Sequence, residues 1–141
     1  MTVENAKSGL KRFGYIWVIC GGILAIIGIA LLIGGYVASS DAERAVNAPG
    51  LYHAGITNLI LGIIGIDSGY RCFKAVKDTS KINTVRNIAI IGIGLAVIAI
   101  VAGCIRGVLA ANNLSSCIVA IVIFGLLLYE VMVIKKGTGN D

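Results

Sequence analysis

Two carboxylates interrupt stretches that are otherwise apolar, Asp67 and Glu130. A charge among apolar neighbours is costly to keep, so each is a candidate for holding a cation or relaying a proton. Asp67 lies four residues before Arg71, and Glu130 five before Lys135. On helices running towards the same membrane face, that spacing puts both about 6 to 8 Å from the basic end, at 1.5 Å per residue. They are therefore expected at a common depth. Two chemistries compete for them. Facing a shared aqueous path, Asp67 and Glu130 form an ion or proton pair. Acting separately, Asp67 pairs with Arg71 at i, i+4, and Glu130 reaches towards headgroups beside Lys135 and Lys136.

The remaining reactive types are sparse. His53 is the single histidine, with no companion at ligand spacing, so no metal centre is expected. Beside Tyr52 it reads as part of an interfacial belt, and Asn58 as a hydrogen-bonding group between helices. Of four cysteines, Cys104 and Cys117 fall at similar depth on consecutive helices and are the candidates for a disulfide. The alternative is that both are small apolar fillers. Phosphate-binding glycine loops, serine hydrolase elbows and HExxH zinc motifs are missing. Neither an enzyme nor a cofactor is expected.

What must position these residues follows from composition. The chain has 141 residues, 57% hydrophobic and 13% charged, with 19 glycines. A soluble domain carries about 25% charged residues, so this chain cannot coat itself for water, and its apolar content rules out disorder. The uncharged runs 13–40, 45–66, 87–105 and 107–129 are each long enough for one crossing of the hydrocarbon core and too short for two. Barrel strands would alternate apolar and polar residues, whereas 23–32 and 118–128 are apolar all round. The fold expected is an all-α membrane protein, a four-transmembrane-helix bundle spanning about 13–38, 50–71, 87–106 and 114–134. Residues 1–141 form a single integral membrane domain. The first span is read as an uncleaved anchor rather than a signal peptide, because its apolar region exceeds the usual length. Asn47, Thr84 and Asn113 are the expected caps of the later helices.

Ten of the 12 basic residues fall before the first span, around the middle loop or after the last span, with only Arg44 and Arg106 on the other side. The positive-inside rule then makes both termini cytoplasmic, in a multi-pass protein of the cell membrane. The net charge of +5 needs no nucleic acid. Lys74, Lys77 and Lys81 have the i, i+3, i+7 spacing of one helix face and could meet anionic lipid headgroups on the cytoplasmic side. Trp17, Tyr15 and Tyr70 read as inner-boundary anchors, and Tyr36 and Tyr52 as outer ones.

Glycine is placed at intervals of seven: Gly14, Gly21, Gly28 and Gly35 in the first span, and Gly55, Gly62 and Gly69 in the second. Ala89, Ala96, Gly103 and Ala110 echo the interval in the third. A seven-residue repeat keeps one helix face on a partner in a left-handed crossing, and small residues there let backbones approach. Helices one to three are therefore expected to pack closely, with the fourth more exposed. The function expected is that of a non-enzymatic bundle that self-associates as a homo-oligomer or binds a larger membrane partner protein. The alternative is a small oligomeric channel or transporter for an ion or small solute, using Asp67 and Glu130.

Overall fold

A computed structural model describes residues 2–139, apart from the side chain of Asn112. The described chain is helical: α1 (Val3–Ser39), α2 (Ala48–Lys77), α3 (Ile82–Arg106) and α4 (Ala111–Thr138), with single 3-10 turns at Ala45–Asn47 and Thr79–Lys81. All four helices are long and apolar enough to cross a membrane, which makes this a multi-pass membrane protein.

All four helices outrun the spans read from charge, and α1, α2 and α3 do so at the end carrying the chain termini, where their turns are amphipathic rather than apolar. In the first turns of α1, Ala6 and Leu10 are buried while Glu4, Ser8, Lys11 and Arg12 are exposed. The Thr2 hydroxyl accepts from the Asn5 amide at 3.3 Å and caps this end. With 37 residues α1 is roughly 55 Å long, so it projects well beyond the hydrocarbon core. None of the three expected caps serves. Asn47 precedes α2 without a side-chain cap, and α4 starts at Ala111 behind Ala110, which leaves Asn113 inside the first turn. Thr84 lies within α3 and donates to the Lys81 carbonyl at 2.7 Å. The polar start of that segment is Asp78, whose carboxylate accepts from the Ser80 hydroxyl at 2.6 Å and the Ser80 amide at 3.1 Å. Those two bonds hold the Asp78 carboxyl below its ordinary range. At the far end, Gly107 takes a left-handed conformation (φ +64°) and Val108 donates to the Gly103 carbonyl, closing α3 sharply enough for α4 to follow at once.

The helices stand in a ring, each beside its neighbours in sequence, with α4 closing back onto α1; α1–α2 is the most extensive contact and α3–α4 the next. Burial in every helix follows alternating steps of three and four, as in Ala54, Asn58, Leu61, Gly65, Ser68, Cys72 and Ala75 of α2. Between α1 and α2 the backbones themselves touch. A Cβ on Gly62 would lie 2.6 Å from the Ala25 amide nitrogen and 2.7 Å from the Gly21 carbonyl oxygen. Gly28 stands in the same way against Gly55, and Gly69 against Gly14, so the opposed glycines step by seven in opposite directions along the antiparallel pair. Gly35 instead receives the Tyr52 ring. In α3, Ala89, Ala96 and Gly103 are buried, whereas Ala110 lies beyond the helix and is exposed.

At the centre, Trp17 of α1 stacks on Phe124 of α4, ring centroids 4.0 Å apart and planes 23° from parallel. The Trp17 ring rests on Gly65 of α2 and the Phe124 ring on Gly92 of α3, so one aromatic pair touches all four helices. Trp17 is 1% exposed and Phe124 0%. Trp17 is thus a core residue and not the interfacial anchor expected from its place near the span boundary. Tyr15, Tyr36 and Tyr70 are more than half exposed and sit on the periphery. The fourth helix is not the more exposed one: α2 and α4 bury the largest share of their apolar stretches and α1 the smallest. Its bulky residues Phe124, Leu127, Val131 and Ile134 fill the interior, because the small residues of α3 leave them space.

Gly62→Val is expected to force α1 from α2 and lower stability by about 1–3 kcal/mol, the usual cost of overpacking. Gly22 faces open space, so Gly22→Ala should stay within about 0.5 kcal/mol of the parent. Reversible unfolding in bicelles distinguishes the two.

Candidate functional site

Polar groups are not shared evenly among the helices. α2 has a mean hydropathy of 1.3 over its apolar stretch, against 2.8 to 2.9 for the others. It carries His53, Thr57, Asn58, Asp67 and Ser68, which makes it the helix that defines any site.

At the end nearer the termini, Arg71 Nε donates to Asp67 Oδ2 at 2.7 Å, and the two side chains are 39% and 40% exposed. Asp67, Tyr70, Arg71 and Lys74 of α2 line a shallow cleft with Lys81 and Thr84. The Lys74 ammonium lies 4.4 Å from the centre of the Tyr70 ring, and Lys81 pairs with Asp78 at 3.4 Å. Lys77 instead lines a separate cleft with Lys11, Tyr15 and Phe73. The expected single face of Lys74, Lys77 and Lys81 is therefore split, because extended backbone at Asp78 (φ −139°, ψ 99°) ends α2 before Lys81.

Glu130 is elsewhere. It is 9% exposed, and its carboxyl group lies against Gly9 of α1, where a Cβ would fall 2.5 Å from Oε1. Its Oε2 is buried without a hydrogen-bond partner. The cleft that Asp67 lines does not include it. Nor do the two carboxylates share a depth. Gly69 opposite Gly14 sets Asp67 about level with Ile16 of α1, while Glu130 is level with Gly9. That offset is roughly 10 Å along the axis at 1.5 Å per residue. The nearest basic residue does not mark a common depth, because both α2 and α4 continue as helix beyond Arg71 and Lys135 and to different extents.

Asn58 Oδ1 is also buried on α2 without a partner, while the buried Ser68 hydroxyl meets the Cys72 thiol one turn along. An unmet group costs about 1–3 kcal/mol, so α2 is polar at the expense of stability. The expected disulfide is not formed. All four cysteines are free, Cys104 being exposed on α3 and Cys117 buried in the interior of α4, so the two thiols occupy different faces.

The site that residue-by-residue reading missed is a cavity of about 450 Å³ between α2 and α3, at the end away from the termini. His53 spans this junction, its Nε2 3.1 Å from the Ala99 carbonyl oxygen, and it fits because Gly103 has no side chain: a Cβ there would come within 2.8 Å of Nε2. Thr57, one turn along, and Arg106 also line the cavity, with walls of isoleucine and leucine. Its signal in the sequence is the i, i+4 pair His53 and Thr57 on α2, with His53 against the third-helix glycine Gly103; taken one at a time, His53 reads as a belt residue and Arg106 as a topology mark.

Maleimide is expected to label Cys104 in the folded protein and Cys117 only after unfolding, with no change of intact mass on reduction. A loss of two daltons without reductant would mean a bridge. No protein-family model, curated protein or solved structure matches this chain.

Proposed function

We propose that this chain is a non-enzymatic component of the cell membrane with both termini cytoplasmic. It is a left-handed bundle closed by its small-residue faces, and it acts by associating with a second copy or with a larger membrane partner. The observation that carries this reading is the filled interior. The stack of Trp17 on Phe124, seated on Gly65 and Gly92, occupies the centre of the ring and leaves no room for an aqueous path through a single chain. Asp67 is already neutralised by Arg71. The outward surface of α1, with Ile19, Ile26 and Ile33 exposed, is free for lipid or a partner helix. On the cytoplasmic side Lys11, Lys74, Lys77 and Arg71 flank clefts suited to anionic headgroups.

One observation favours a second reading, passage of an ion or small solute. Glu130 is buried at the α1–α4 junction with one oxygen unmet, and in an oligomer that junction can border a path between subunits.

Proteoliposomes loaded with a pH dye or a cation-sensitive dye separate the two. The association reading expects flux no greater than in empty vesicles and no effect of Asp67→Asn or Glu130→Gln. Flux that Glu130→Gln abolishes would replace it with the second reading. Photobleaching steps of labelled protein at low density in vesicles should exceed one per complex if the chain self-associates. Orientation is tested with single-cysteine variants at Ser8 and Ser40 in a protein whose four native cysteines are replaced by serine or alanine: an impermeant maleimide applied outside intact cells should reach only the second.

A further inference from the structure

We propose that the α2–α3 cavity holds one tail of an anionic phospholipid, with its phosphate at Arg106, in the leaflet on the side of the α1–α2 and α3–α4 connections. Three features select this occupant. The first is length. The lining runs from Arg106 down to Leu95 on α3 and from Pro49 to Leu61 on α2, roughly 16 Å to 18 Å at 1.5 Å per residue. That is about half of the roughly 30 Å hydrocarbon core, the depth of one leaflet. The second is the division of polarity. The deep walls are Ile56, Ile60, Leu61, Leu95 and Ile98, with the Thr57 hydroxyl the one polar group among them, while the exposed Arg106 stands at the mouth. The third is charge. Arg106 makes no ion pair among the described residues, and the only acids of the adjoining connection are Asp41, which pairs with Arg44 at 3.6 Å, and Glu43. An unpaired guanidinium at headgroup level is matched by a phosphodiester whose charge no choline cation offsets, and it can engage that group through two parallel hydrogen bonds.

His53 and Gly103 shape the cavity rather than bind the headgroup. The His53 ring crosses from α2 to the Ala99 carbonyl, so it spans the junction beside the stretch the lipid tail would fill. Thr57, buried one turn along, lines the same wall. A bundle helix normally closes such a gap with a larger residue, since an unfilled apolar void forfeits its contacts. A lipid tail restores them.

The test uses the full-length protein, stripped of lipid in detergent and titrated with dioleoyl phosphatidylglycerol, dioleoyl phosphatidylcholine or oleic acid, with binding read by native mass spectrometry. The expectation is one phosphatidylglycerol per chain, bound about fivefold more tightly than phosphatidylcholine, the preference that one basic residue near the surface supplies. Arg106→Gln should erase that preference while leaving a residual common affinity for both lipids. Ala99→Leu, which fills the cavity, should abolish one-to-one binding of either. A circular-dichroism spectrum and elution volume equal to the parent's establish that each variant is folded; if Ala99→Leu is not, Ile98→Phe takes its place. Equal binding of the two phospholipids by the parent, or an unchanged preference in Arg106→Gln, overturns the proposal. So does tighter binding of oleic acid than of phosphatidylglycerol, which would assign the cavity to a free fatty acid.

Discussion

Helices whose outer surfaces are as apolar as the surrounding lipid gain little from hiding those surfaces, and hold together only where they fit each other better than lipid fits them. In this chain that place is the stack of Trp17 on Phe124. The two largest fully buried side chains come from the first and last helices and are seated on glycines of the other two, Gly65 and Gly92. Aromatic pairs at this separation contribute about 0.5–1.5 kcal/mol beyond the area they bury. The Trp17 indole nitrogen has no hydrogen-bond partner, so the ring is held by shape alone. Around this centre the glycines of α1 and α2 bring two backbones into contact, and the small residues of α3 make room for the bulky residues of α4.

The polar groups are arranged around that filled interior instead of through it. Asp67 turns to Arg71 on the flank of α2, and Glu130 turns to Gly9 at the α1–α4 junction. The buried Asn58 and Ser68 lie on either side of Leu61 and Gly65 along one face of α2. Between them the apolar residues and the aromatic stack interrupt any continuous row of hydrogen-bonding groups. At the opposite end, His53 reaches the Ala99 carbonyl across the α2–α3 junction, beside the cavity that Arg106 also lines. The same rule governs both ends: glycine admits a neighbour's backbone or ring, and a side chain that is polar or too short leaves a space.

Four apolar helices were legible in the sequence because uncharged stretches of membrane length have few other uses, and the structure has them. The amphipathic extensions of α1, α2 and α3 were not, since a charged residue marks the edge of an apolar stretch while a helix ends only where its backbone does. Gly14, Gly21, Gly28, Gly55, Gly62 and Gly69 stand out as a repeat, yet Gly65 and Gly92 fall outside it, and what they receive could not be read without knowing which helices are neighbours. Trp17 looked interfacial because its distance from Arg12 is short, but side-chain direction places it inside. The carboxylates were recognisable as unusual residues. Their relative depth depended on helix register, and register depends on packing that no single span encodes.

A double-mutant cycle on Trp17→Ala and Phe124→Ala, measured by reversible unfolding in bicelles, tests the centre of this account most directly. Stacked rings predict a coupling of about 1 kcal/mol, so that the double variant is less destabilised than the two single losses combined. Strict additivity would mean that the rings do not touch, and that the interior of the bundle is not closed where this account closes it.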